Sequence, residues 1–190
     1  ELQIQEVPEL FGQRGYGFLL TGTLTTLQDG EGLSVAGSDD VIIRGNVNLL
    51  GEGSDLELQS DRWVYWEGAA NVGGDITLQG GVSLDGEILT GPGVGANAAG
   101  VSIFVHATST LNTTAAGSRI HIHGGQDVIL EGRVAAGVDL SGEESDVLVF
   151  APDATAEIIA GQRVFIDTAI AASKSVLVQT TGLPGPGDEG

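Results

Sequence analysis

The chain contains no cysteine and no methionine, and Lys174 is its single lysine. Without cysteine there is no disulfide, no thiolate metal ligand and no cysteine nucleophile. Without a starting methionine, the chain reads as a processed mature protein or an excised fragment, any signal peptide already removed. Positive charge is scarce: 26 acidic residues face 7 basic ones, a net charge of -19. Such a chain repels nucleic acid and anionic membrane surfaces and favours cations. No apolar run is long enough to span a bilayer as a helix. Aromatic residues make up only 5%, too few for the large buried rings that β-sandwich cores usually carry. Helix signals are nearly absent, and the best candidate, "TLNTTAAGS" at 110–118, is a poor helix former because of its threonines and glycine.

What the chain does have is glycine, 31 of 190 residues, and a hydrophobic share of 41%, too high for a disordered chain. Between the glycines one hexapeptide recurs: Asp, apolar, any, apolar, any, small. The strict copies are "DVIIRG" at 40–45, "DLELQS" at 55–60, "DITLQG" at 75–80, "DVILEG" at 127–132 and "DVLVFA" at 146–151. Looser copies are "RIHIHG" at 119–124, "RVFIDT" at 163–168 and "SVLVQT" at 175–180. In three strict copies another apolar residue follows the first by six: Val41 and Val47, Ile76 and Val82, Val128 and Val134. The unit is a short strand, a glycine turn and a second short strand. The strict copies start 15, 20, 52 and 19 residues apart, which fits solenoid turns of roughly 20 residues with one excursion. "LTGPGVGANAAG", 89–100, supplies that excursion.

The expected fold is therefore all-β, a right-handed parallel β-helix, with a β-sandwich as the alternative because "DG" turns at 29–30 and 85–86 allow hairpins. Residues 1–32 read as an N-terminal cap or edge segment, 33–181 as the solenoid, and 182–190 as a Gly/Pro tail. The coil at "SVLVQT" is the expected open end. The inward set is Val41, Ile43, Ile76, Leu78, Val128, Leu130, Val147 and Val149, with Arg44 and Glu131 pointing out.

"GSDDVIIRGNVNLLGEGSDLELQS" and "GGQDVILEGRVAAGVDLSGEESDVLVFA" resemble the β-helical repeats of filamentous-haemagglutinin-like proteins, large secreted bacterial exoproteins and adhesins. The likeness spans roughly residues 33 to 181 and is one of repeat texture. It implies an extracellular, cell-surface, non-enzymatic shaft or fibre subunit. Its partners would be other copies or segments of the same surface protein, and glycans or a neighbouring cell surface. The sequence departs from that pattern in its irregular spacing and in an aromatic island at 60–68.

Three groups of residues are candidate sites. The acidic turns hold Asp29, Glu31, Asp39, Asp40, Glu52, Asp55, Asp85, Glu87, Glu143, Glu144 and Asp146. Carboxylates interleaved with glycine carbonyls suit Ca²⁺, although none of these turns matches a known calcium loop, and aspartate also caps turns by accepting backbone N–H groups. In "SDRWVYWEG", Trp63 and Tyr65 share one side of a strand and Val64 and Trp66 the other, so exposed Trp63 and Tyr65 are a candidate carbohydrate platform. In "RIHIHG", Ile120 and Ile122 face inward and Arg119, His121 and His123 outward. Stacking this strand on "VSIFVHA" would align Phe104 with His121 and His106 with His123, a weak grip for Zn²⁺, Cu²⁺ or Ni²⁺. A polysaccharide-active β-helix enzyme needs converging carboxylates. Glu57, Glu131 and Asp167, with Arg44 and Arg133, do not converge in sequence, so the expected role is not catalytic. The runner-up is a calcium-dependent β-sandwich matrix or adhesion module.

Overall fold

The computed structural model describes residues 3–8, 16–37, 39–83, 89, 95–139 and 149–182, the first six and Tyr16 by backbone alone. Among them there is no helix; seventeen strands form two sheets whose neighbours are mostly parallel. A short strand β1 (Gln3–Pro8) comes first. The chain then passes through both sheets six times. The first pass is β2 (Tyr16–Thr26) and β3 (Leu33–Gly37), and the second β4 (Val41–Leu49) and β5 (Leu56–Ser60). The third is β6 (Val64–Glu67), β7 (Ala69–Val72) and β8 (Ile76–Gly80). The fourth is β9 (Val101–Val105), β10 (Thr110–Thr113) and β11 (Arg119–Gly124). The fifth is β12 (Asp127–Leu130), β13 (Arg133–Ala136) and β14 (Thr155–Ala160). The sixth is β15 (Val164–Ile166), β16 (Ile170–Ala172) and β17 (Ser175–Thr180).

The last strand of every pass enters one six-stranded sheet, in the order β17-β14-β11-β8-β5-β3. The other strands form the larger sheet, in which β4 pairs with β6 through its first half and β7 through its second. That sheet therefore bends at the middle of β4 and curls into a half-barrel. Glycine permits the bend. Gly45 pairs with Gly22, and a Cβ on Gly45 would lie 2.1 Å from the Gly22 carbonyl oxygen. A Cβ on Gly68 would lie 1.9 Å from the Gly45 oxygen. No side chain fits between passes at this corner.

Period-two alternation explains the core. Inward residues stack pass upon pass: Val41, Val64, Ile103 and Val128 in one column, and Ile43, Trp66, Val105 and Leu130 in the next. In the smaller sheet Leu56, Ile76 and Ile120 align, as do Leu58, Leu78, Ile122 and Ile158. All of these are fully buried. The expected inward set Val41, Ile43, Ile76, Leu78, Val128 and Leu130 is fully buried, and Arg44 is exposed. Glu131 is only half exposed.

Two expectations are corrected. Val149 is 54% exposed and lies outside any strand, while its neighbour Phe150 makes an isolated antiparallel bridge to Val138; Val147 lies outside the described residues. The strand stacked on β11 at this point is "TAEIIA", β14, with Ala156, Ile158 and Ala160 buried. A six-residue alternating pattern does not by itself distinguish a stacked strand from an inserted segment. The spacing also carries two excursions instead of one. Successive partners Phe18, Val41, Val64, Ile103, Val128 and Val164 are 23, 23, 39, 25 and 36 residues apart. The long steps carry the segments 81–100 and 137–154 between strands. Antiparallel strand pairing among the described residues is confined to β1 and β2. The "DG" at 29–30 turns a corner between sheets, with Gly30 at φ 72°.

Candidate functional site

The most conspicuous outward feature is a strip on the first arm of the curled sheet. Ile42, Tyr65, Phe104, Ile129 and Phe165 are register partners on successive passes. The Tyr65 and Phe104 rings stack face to face, centroids 5.7 Å apart and planes 1° from parallel. On the preceding pass the Arg44 guanidinium sits 5.6 Å from the Tyr65 centroid. Trp63 tilts against Tyr65 at 5.6 Å and 58°. Val64 and Trp66 face inward, both fully buried, and Trp63 and Tyr65 share the opposite side, each partly covered. A sugar platform needs a free ring face, and Tyr65 has Phe104 on one side and Arg44 on the other. Its hydroxyl donates to Glu67 Oε2 at 3.1 Å, and burial, then Glu67, pushes the phenol pKa up. Arg44 closes the group, 3.5 Å from Glu67.

Two residues further along each strand, the same register places Arg44, Glu67, His106, Glu131 and Asp167 in the adjacent outward column. At its last two passes a shallow recess of about 260 Å³ lies among Ile129, Leu130, Glu131, Phe165 and Asp167. Phe165 is 46% exposed, with the Arg163 guanidinium 5.3 Å from its centroid. Arg163 itself is fixed by Asp127, whose two carboxylate oxygens accept from Nε at 3.0 Å and from Nη2 at 2.6 Å.

The three histidines are not brought together. His106 follows β9 in the curled sheet, whereas His121 and His123 lie on β11 in the other, so the expected alignment of Phe104 with His121 and His106 with His123 is corrected. Phe104 pairs with Tyr65 and Ile129, and His121 with Thr77 and Glu157. The 18-residue spacing that suggested stacking instead carries the chain across a corner within one pass. Ile120 and Ile122 do face inward. His121 Nδ1 lies 3.0 Å from Glu157 Oε2, and His123 meets His121 edge to face at 6.0 Å. Burial, reinforced by His121, pushes the His123 pKa below 6.5. A histidine lowered on folding favours the neutral form. Its contribution is present above pH 6.5 and lost as pH falls through the folded-state pKa. Between pH 7 and pH 5 the melting temperature of the wild type should therefore fall more than that of His123→Gln. Equal slopes would remove His123 from the acid response.

The acidic turns use their carboxylates on backbone. Asp29 Oδ1 accepts the N–H of Glu52 at 2.9 Å, Asp55 Oδ1 that of Asp75 at 2.7 Å, and Asp75 Oδ1 that of Arg119 at 2.7 Å. Each aspartate thus ties its own turn to the turn of the next pass. Asp39 and Asp40 belong to a second group, bound by Arg62 with Nη1 and Nε 3.0 Å from the respective Oδ1 atoms. Burial pushes the Asp40 pKa up, with the Trp63 indole and Arg62 opposing it. Glu31 and Glu52 are exposed. Asp85, Glu87, Glu143, Glu144 and Asp146 lie outside the described residues. Among the described residues no three His, Asp or Glu side chains are grouped as a cation site would need. Asp55→Ala should lower stability by about 1 kcal/mol, as loss of a capping side chain does, read as a shift in the urea midpoint. Ca²⁺ and Mg²⁺ at matched ionic strength separate the two uses of these turns: equal rises in melting temperature would mean screening alone. A clearly larger rise with Ca²⁺ would mark a specific calcium site.

One polar feature went unread in the sequence. Asn71 Nδ2 donates to Asn48 Oδ1 at 2.9 Å, and Asn112 Nδ2 donates to Asn71 Oδ1 at 3.1 Å, an amide ladder across three passes. The 23-residue interval between Asn48 and Asn71 was its signal. Comparison of the chain with protein-family models, curated proteins and solved structures finds no match.

Proposed function

We propose that the chain is a non-enzymatic structural segment of a secreted bacterial surface protein, its six passes wound as a right-handed parallel β-helix. The observation that carries this reading is the parallel stacking of six passes over buried apolar columns. Crossovers between parallel strands are right-handed in about 98% of cases. Outward side chains are also spent along the stack: the Asn48–Asn71–Asn112 ladder, the Tyr65–Phe104 stack and the Asp55–Asp75 turn links each join one pass to the next. Six passes at about 4.8 Å each make a shaft of roughly 29 Å. Such a shaft holds binding elements away from a cell or builds part of an extracellular fibre. The resemblance to haemagglutinin-type repeats, together with the acidic composition, supports a location outside the cell.

A panel of acidic and neutral polysaccharides incubated with the folded chain should yield no new reducing ends and no unsaturated products, while limited proteolysis should leave the stacked passes intact. Released sugar products, lost on replacing Glu131 and Asp167 with their amides, would overturn the structural reading in favour of a glycan-cleaving β-helix.

A further inference from the structure

The two ends of the stack differ. At the start, β1 runs antiparallel against the first half of β2, covering Tyr16 to Thr21. In the smaller sheet β3 is the edge, paired on one side alone, with β5. At the other end, β17 is likewise an edge. Its inward residues Val176 and Val178 continue the buried columns of Ala156 and Ile158, yet they are 43% and 42% exposed. Ile166, in register with buried Leu130, is 42% exposed. In the described structure the last pass is a core layer with nothing stacked upon it.

We propose that this last pass receives the first pass of a second copy of the chain, β17 pairing in parallel with β3, so that copies join end to end. The inference rests on the structural reading above and names the partner of that shaft. Two observations select this occupant. The first is continuity of the columns: with Val176 over Leu33 of the next copy, Val178 meets Val35 and Thr180 meets Gly37, repeating the positions at which β3 already stacks on β5. Leu33 and Val35 are themselves only partly covered at their own end. The second is charge. The same registration sets Lys174, the only lysine, over the turn that carries Asp29 and Glu31, both exposed. Lys174 lies at the open end, 3.4 Å from Asp153 with its side chain 60% exposed. A contact between two different surfaces does not close on itself, so it propagates as a filament. Because each copy carries a net charge of -19, joining requires enough salt to screen the repulsion, roughly 0.15 M.

Complementary variants of the full chain test this by sedimentation velocity and negative-stain electron microscopy. Ala36→Pro blocks the leading edge. The Leu33 N–H donates to the carbonyl of Asp55, just ahead of β5, so in a parallel ladder the Ala36 N–H faces the free side and its loss spares that ladder. Val178→Lys blocks the trailing edge at an exposed position. The wild type should grow longer oligomers as concentration rises, each variant alone should be monomeric, and an equal mixture should stop at dimers. Lys174→Glu should weaken growth at least several-fold. Circular dichroism confirms that each variant keeps its β signal; should Ala36→Pro lose it, Ser34→Lys on the same edge replaces it. A folded wild type that stays monomeric would overturn the proposal and leave the structural reading standing. Self-association of either variant alone would overturn it in favour of like-to-like pairing. Oligomers that appear only after residues 183–190 are removed would show that the chain's own C-terminal segment fills the site. Polysaccharide cleavage, in contrast, would bring down the structural reading itself.

Discussion

Replacing Trp66 with alanine should cost about 3–5 kcal/mol of stability, the range for truncating a buried aromatic ring. At about 2–4 °C per kcal/mol for a chain of this size, the melting temperature should fall by roughly 6–20 °C. Trp66 is the largest fully buried side chain. It lies in the inward column between Ile43 and Val105, and its indole N–H donates to the Gly68 carbonyl at 2.9 Å. Trp66→Phe should recover much of the packing and lose that hydrogen bond. Trp63→Ala, three residues away on the outward side, should change stability far less. Reversed magnitudes for Trp63 and Trp66 would invert the register of β6, and with it the assignment of Tyr65 and Phe104 to the outer face.

The second large effect concerns the glycine corner. Gly68→Ala would drive a methyl group to 1.9 Å from the Gly45 carbonyl oxygen, at a φ of 148°. Gly53 supplies the control. It has φ 68°, and a methyl group there would meet nothing within 4 Å. Gly53→Ala should therefore cost only the backbone strain of a left-handed residue, about 1–2 kcal/mol. Gly68→Ala should cost roughly 1–3 kcal/mol more, the penalty of overpacking against a backbone that cannot move aside. Matched denaturant curves compare the two. Equal losses would mean that the passes do not approach each other as closely at Gly45 and Gly68 as the structure has them.

How much of the fold is legible in the sequence depends on the range of each interaction. The inward residues of β4, β5, β8, β11 and β12 follow from alternation within six residues, which is why Ile43, Leu58, Leu78, Ile122 and Leu130 are readable. Which strand sits on which is not. "DVIIRG" and "DVILEG" fall in the curled sheet and "DLELQS" and "DITLQG" in the other, because each pass has several similar strands and a hexapeptide does not record its place. For the same reason Val149 of "DVLVFA" passes for an inward strand position, and "TAEIIA", with alanine at two inward positions, escapes notice. The histidines fail on this point too: an 18-residue interval suggests adjacency, whereas neighbours in the stack are 20 residues apart or more. The candidate platform is half legible. Alternation puts Trp63 and Tyr65 outside, but the stacking of Phe104 and Arg44 on Tyr65 depends on partners 39 and 21 residues away. The acidic turns show their charge but not their bonds, since a carboxylate for a cation and one for the next turn's N–H look alike in sequence.

Because the chain has no native cysteine, its register is open to direct measurement by engineered disulfides. Glu57 and Thr77 are outward register partners on β5 and β8, and neighbouring strands lie about 4.8 Å apart, within the roughly 4.4–6.8 Å between Cα atoms that a disulfide spans. Under mild oxidation the Glu57→Cys/Thr77→Cys chain should close its disulfide rapidly and nearly completely, while Glu57→Cys/Gln79→Cys, two residues out of register, should stay reduced. Preferential closure of the Gln79 pair, or closure of neither, would contradict the stacking of one pass on the next.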